Sequence, residues 1–244
     1  MISGSGSTTS GAVARFLARL RRHSYLGLAL LAAGCGGPGV VVPESAFRPS
    51  ARDEFLAAAA GTLPDRRQIV RIRWHSDDGN VQYSGSGAAR IAPPDSLRAD
   101  IAAALGLGRS TVIMLGDSVA VRPTNTVDQV LPDRFALWAV LGVLRLPPGE
   151  LRIEQGQDGE RSFWRTTDGV GRVTVFELSR GALVGVTRQQ GGRVMSRLRL
   201  TRGADGAVAQ ASLTDVSRKL RLDVTVTARE PSDAFPPEVW RLGP

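Results

Sequence analysis

From residue 68 to 75 the chain alternates, with Val70, Ile72 and Trp74 on one parity and Arg71, Arg73 and His75 on the other. Strict alternation predicts a strand with one dry face and one wet face. Asp77-Asp78-Gly79-Asn80 is a turn signal. Residues 81–91 then return through a second strand, in which Gly85 and Gly87 point to a bulge or a strong bend. Beyond Pro93-Pro94, residues 96–102 resume the apolar pattern with Leu97 and Ile101, and 110–115 with 118–122 flank Gly116-Asp117 as a hairpin. The C-terminal part is a procession of strands at 150–155, 161–166, 172–178, 182–189, 193–201, 207–214 and 218–228, separated by turns rich in Gly and Asp. Strands following strands without helices between them predict an antiparallel meander of roughly ten or eleven strands.

Two helices interrupt this pattern. The first, 51–60, has Ser50 as its cap, Asp53 and Glu54 in its first turn, and Gly61 at its end. The second, 133–146, is stopped by Pro147-Pro148 and carries Phe135, Leu137, Trp138, Val140, Leu141, Val143, Leu144 and Leu146, with almost no polar side. Such a helix either is enclosed by strands as core or packs one side on the sheet and turns the other to a lid, a partner, a lipid or a bilayer.

The N-terminal region has a different logic. Arg15, Arg19, Arg21 and Arg22 precede a short apolar run from Tyr25 to Ala33, followed by small residues and Cys35. That order is a secretory signal, and the run is too short for a membrane span of about 20 residues. Leu31-Ala32-Ala33-Gly34-Cys35 resembles the lipobox of bacterial lipoproteins, although Ala32 stands three places before the cysteine, where that family prefers Leu. The resemblance implies removal of 1–34, acylation (palmitate and the like) of Cys35, and a lipid anchor in the bacterial envelope. Gly36 rather than Asp follows the cysteine, which by the sorting rule of that family implies the outer membrane, facing the periplasm. Residues 36–50 hold three prolines and three glycines, a composition that predicts a flexible tether over 35–50. A single domain is expected over 51–244.

Charge changes the picture little. The 244 residues carry a formal charge of +8; removing the four signal arginines from the 31 basic residues leaves 27 against 23 acidic, or +4. Nucleic acid is not an expected partner, because no basic-plus-aromatic motif appears. Arg71 with Arg73, Arg197 with Arg199, and Arg218 with Arg221 alternate with apolar residues, but interspersed acids such as Glu177 and Asp223 favour a solvated face over one that grips anionic headgroups. One cysteine excludes an internal disulfide. His75 is the single histidine left after the signal, and no G-x-S-x-G surrounds any serine, so no catalytic set is read. No cluster has metal-ligand spacing: Asp77-Asp78-Gly79-Asn80 lacks the closing Glu of a calcium loop, with Ala88 in its place. No cofactor is expected either. The glycines at 106 and 108 lack the lysine of a phosphate loop.

The order of elements, with the stretches AARIAPPDSLRADI (88–101), STVIMLGDSVAV (110–121) and DAFPPEVWRL (233–242), resembles the LolA/LolB-like lipoprotein-carrier superfamily; 233–242 is similar to its last strand. The resemblance implies a mainly β (α+β) fold: a strongly curved antiparallel sheet forming a half-open barrel, its concave face covered by the two helices. It further implies a non-enzymatic, monomeric carrier that receives lipid or lipoprotein acyl chains in an apolar hollow. Cys35 is then the lipid attachment. Trp138, Leu141 and Leu144, with Phe135, lie on the covering helix, and alternation nominates Trp74, Phe163, Trp164, Val175 and Leu198 for the walls. The alternatives are an adaptor lipoprotein that docks an envelope protein partner, and, on weaker grounds, an envelope hydrolase.

Overall fold

The parity of Val70, Ile72 and Trp74 sets the two faces of the sheet, since these three are buried while Arg71, Arg73 and His75 are exposed. The computed structural model describes residues 46–104, 108–122 and 136–242; the signal, Cys35 and Phe135 lie outside them. Of two compact units, Met1–Val41 is outside the described residues and Val42–Pro244 carries the fold.

Among the described residues thirteen strands form one antiparallel sheet: β1 (Arg48–Pro49), β2 (Gln68–Asp77), β3 (Gln82–Ala92), β4 (Ser96–Ala103), β5 (Arg109–Leu115), β6 (Ser118–Val121), β7 (Leu151–Asp158), β8 (Arg161–Asp168), β9 (Arg172–Ser179), β10 (Ala182–Gln190), β11 (Arg193–Arg202), β12 (Val208–Asp215) and β13 (Leu220–Pro231). Their order is β1-β7-β8-β9-β10-β11-β12-β13-β2-β3-β4-β5-β6, with β1 and β6 at the two edges. The sheet is therefore open, and β13 pairing with β2 joins its two halves. The strand count exceeds the expected ten or eleven for two reasons. Residues 96–103 form a full strand, and Arg48–Pro49, inside the stretch assigned to the tether, pairs with Gln155 and Glu154 of β7. Proline content marks a linker, yet Pro49 at a sheet edge needs no N–H for the ladder.

The inner face is the one that holds the core. Trp74 lies across the missing side chain of Gly85, where a Cβ would meet its ring carbons at 2.7 Å and the Ala102 carbonyl at 2.0 Å. Helix α1 (Arg52–Ala60) sets Phe55 edge-on against Trp164 and Phe176, with centroids 5.3 and 5.7 Å away. Its cap position is Ala51 rather than Ser50; the Ser50 hydroxyl and the Ala51 N–H both reach the Glu54 carboxylate.

The second helix ends earlier than its composition predicts. Within the described residues α2 spans Ala136–Val140. Gly142 ends it in the left-handed region at φ 85°, with its N–H bonded to Ala139 O and that of Val143 to Trp138 O. That is a Schellman closure, in which glycine carries no Cβ penalty. Leu141 to Leu144 stay buried after the helix has ended, so continuous apolarity reflects burial rather than helical length. The segment behind α2 reaches two distant regions of the sheet. It faces β9–β12, and Arg145 donates to Pro94 O and Gly116 O in the β3–β4 and β5–β6 turns. In a flat sheet β9 and β5 would be roughly 38 Å apart at about 4.8 Å per strand. A ten-residue segment bridging both sides requires the sheet to curl.

Residues 233–242, expected as a last strand, instead make a 3-10 turn over Pro237–Trp240. Phe235 packs edge-on against Trp240 at 5.8 Å, and Arg98 on the outer face of β4 donates to Val239 O at 2.8 Å. Pro236-Pro237 removes two donors in succession, which a ladder does not accommodate.

Candidate apolar binding site

A cavity of about 270 Å³ lies between α2 with its following segment and the inner face of β9–β12. Alternation builds its wall. Phe176 pairs with Val186, and Val186 with Leu198, which pairs in turn with Leu213, so one row of apolar side chains crosses four strands. Ala139 and Val143 close it from the helix side. The volume is near the lower limit of ligand pockets, about 300–1,000 Å³, and fits part of one apolar chain rather than several.

The mouth is polar. Arg172, Arg188, Gln190, Ser217 and Arg218 line it, and they come from the β8–β9, β10–β11 and β12–β13 turns or the strand ends beside them. Two aspartates shape the first and last of these turns. Asp168 accepts from the N–H groups of Val170 and Arg172 and from the Arg172 guanidinium, the last at 2.7 Å. Burial acts to raise its carboxyl, but these donors together hold it below the ordinary aspartate value. Asp215, buried, accepts from Ser217 Oγ at 2.6 Å and the Arg218 N–H at 3.0 Å.

At the other end of the strands a second hollow of about 430 Å³ lies between the C-terminal end of α1 and β7–β10. Alanines, Gly61, Gly181, Gln155, Ser162 and Arg180 line it with Trp164, Leu178 and Arg202, so it offers less apolar wall. Arg202 donates to Leu183 O and Gly206 O, and Arg229 to Val208 O. Burial lowers both guanidinium groups from the usual arginine value, and both stay protonated.

The sequence-nominated residues divide into three groups. Trp74, Trp138, Leu141, Leu144, Trp164 and Leu198 all belong to the inner core; of these, Leu198 lines the first cavity and Trp164 the second. The indole N–H groups of Trp74 and Trp138 are buried without a partner. Phe163 and Val175 are corrected: both lie on the outer face. Phe163 pairs with Gly156 and Glu177, and Val175 with Arg165. Phe163 and Trp164 are consecutive, so a strand cannot turn both inward. Phe163 is buried on the outside because Phe47 covers that region, with ring carbons 3.3 and 3.4 Å from where a Gly156 Cβ would stand. Phe47 also stacks on Arg165, 4.2 Å from centroid to guanidinium, and Arg165 forms a buried pair with Glu154. Cys35 and Phe135 fall outside the described residues.

Sequence reasoning missed Phe176, Val186, Leu213, Ala139 and Val143. The parity signal in 172–178 was present, but Val173 and Val175 compete with Phe176 for the apolar phase, and only the ladder to Trp164 decides between them. His75 stands exposed between Asp223 and Ser84. Among the described residues no group of three His, Cys, Asp or Glu is placed to hold a metal, and no helix is long and apolar enough to cross a membrane.

A LolA superfamily protein from Nitrosomonas europaea superposes with a TM-score of 0.55 at 11% identity, covering 79% of this chain and 98% of that one. The fold is LolA-like. A domain named as an outer membrane lipoprotein-sorting protein, from Vibrio parahaemolyticus, gives a TM-score of 0.50 at 9% identity over 77% of this chain and 96% of its own. No protein-family profile matches the chain, and no curated protein matches it. The LolA-like architecture is thus carried by the sheet, its parity and its inner helices at a level of identity where the side chains of the hollow are this chain's own.

Proposed function

We propose that this chain is a membrane-anchored lipoprotein that holds lipid or lipoprotein acyl chains in the hollow beneath α2 and hands them on at the outer membrane. In this reading the open sheet acts as a half-open barrel, Cys35 carries the acyl anchor, and the protein works in the bacterial envelope without catalysing a reaction. The observation that supports it most is the apolar row Phe176–Val186–Leu198–Leu213 facing unfilled volume within a LolA-like fold. Each buried CH₂ contributes about 0.8 kcal/mol, so roughly six of them stabilise a bound chain by about 5 kcal/mol.

Native mass spectrometry of Val42–Pro244 after bacterial expression tests the reading. This unit contains every residue of the inner core and so carries its own packing. Co-purified phospholipid or acyl peptide is expected, and Val186→Trp, which fills the cavity, should remove most of it. A ligand-free protein, or retention unchanged by Val186→Trp, counts against acyl binding. A ligand-free protein that retains a stable envelope partner would favour the adaptor instead.

A further inference from the structure

Val170 and Val216 are the two most exposed large apolar side chains among the described residues, at 68% and 55%. Single exposed apolar residues are ordinary, but these two share a location. The β8–β9, β10–β11 and β12–β13 turns all fall at one end of the antiparallel ladder, because every second turn of a meander returns to the same end. Val170 and Val216 are tips of the outer two, held out by the Asp168 and Asp215 hydrogen bonds to turn groups described above. The same end carries Arg172, Arg188, Arg193, Arg218 and Lys219, five cations against two carboxylates that are both engaged within the turns. Arg172 is paired with Asp168 at this end, as Arg71 is with Glu230 and Arg199 with Glu177 elsewhere, so the positive character of the rim comes from an excess of cations over carboxylates and not from unpaired groups. The basic sector is also bounded, with Glu150 on one side and the Asp77-Asp78 turn on the other. The first cavity opens through this rim, since Arg172, Gln190, Ser217 and Arg218 line it.

We propose that this rim docks on an anionic lipid surface, with Val170 and Val216 entering the headgroup layer and the basic side chains contacting lipid phosphates. Apolar tips flanked by cations are what an interfacial site requires, and a protein partner of acidic surface would not call for exposed valines at two turn tips. Docking in this orientation sets the cavity mouth against the bilayer, so a chain passes between them without crossing water. That purpose rests on the acyl-binding reading, whereas the docking itself does not.

Flotation of Val42–Pro244, which lacks Cys35 and cannot be acylated, tests the proposal. The probes are vesicles of phosphatidylcholine alone and of an equal mixture of phosphatidylcholine and phosphatidylglycerol. Binding to the mixed vesicles should exceed binding to the neutral ones by about tenfold at low salt and fall as salt rises. Val170→Asp/Val216→Asp and, separately, Arg193→Glu/Lys219→Glu should each lower it by about tenfold. None of these four residues lines the cavity, and their exposure leaves thermal unfolding unchanged. Equal binding to both vesicles, no binding to either, or variants that float like the parent would overturn the proposal. Ligand occupancy measured on the same samples keeps the two readings apart: lost flotation with retained acyl ligand defeats docking alone, and the reverse defeats acyl binding alone.

Discussion

The backbone N–H of Leu144 donates to Thr62 Oγ1 at 2.8 Å, tying the segment behind α2 to the end of α1. Leu144 is fully buried, and the Thr62 hydroxyl in turn donates to Ala59 O. One hydroxyl therefore joins the two elements that cover the inner face. Thr62→Val keeps the shape but leaves the Leu144 N–H without an acceptor, at a cost of about 1–3 kcal/mol. Urea unfolding should show that loss, while Thr62→Ser should stay near the parent; equal midpoints for Val and Ser would remove the bond from the account.

Gly142 is constrained twice, by φ 85° and by Val208 Cγ2 lying 2.6 Å from a would-be Cβ. Gly142→Ala should destabilise by about 1–3 kcal/mol. Adding Val208→Ala relieves the close contact but not the backbone strain, so the double variant should recover only part of the stability the single change costs. Full recovery would mean that the left-handed closure of α2 is unimportant.

Arg165 donates to Glu154 through Nε at 2.8 Å and Nη2 at 2.9 Å on the outer face, beneath Phe47. Arg165→Met strands the carboxylate, although Arg152 Nε remains 3.5 Å away. The expected loss is about 2–4 kcal/mol, toward the lower end for a broken buried pair. Replacing both partners, Glu154→Met with Arg165→Met, should restore most of it, as calorimetry on the three variants would read. A double variant no better than the single one would mean that the cost lies in packing against Phe47.

Asp100 accepts from Arg90, Arg98 and Thr111. Burial acts to raise its carboxyl, but the Arg98 and Thr111 hydrogen bonds and the nearby guanidinium charges outweigh it and hold the group below the ordinary aspartate value. A carboxylate depressed on folding contributes stability at pH above its unfolded value and loses it as pH falls through the lower folded value. Arg98→Met withdraws the foremost of those partners, so acid unfolding followed by circular dichroism should begin at higher pH than in the parent. An acid limb that does not move would place the acid sensitivity in other carboxylates.

Much of the sheet was legible from residue order. On β2, tertiary placement repeats the sequence parity residue for residue, because a strand with one wet face writes its orientation into alternating polarity. On β8 the same rule fails: Phe163, Trp164, Arg165 and Thr166 are all buried, and with both faces covered no alternation remains to be read. What covers the outer side is Phe47, from a stretch whose prolines mark a linker when read alone. The point at which α2 ends was illegible for a related reason. Burial makes residues 137–144 uniformly apolar, and the one local signal, Gly142, acquires its meaning only from the turn it closes and from Val208 beside it.

Residue order alone sets the antiparallel meander, the wet and dry faces of its half-exposed strands, and the first helix, since these depend on neighbours one to four residues away. Tertiary structure alone decided which apolar residues face unfilled space and which face one another. It also decided that Val170 and Val216, 46 positions apart in the chain, stand on one rim beside the cavity mouth. Curvature and register bring such residues together, and both arise from pairings between distant strands that no local pattern encodes.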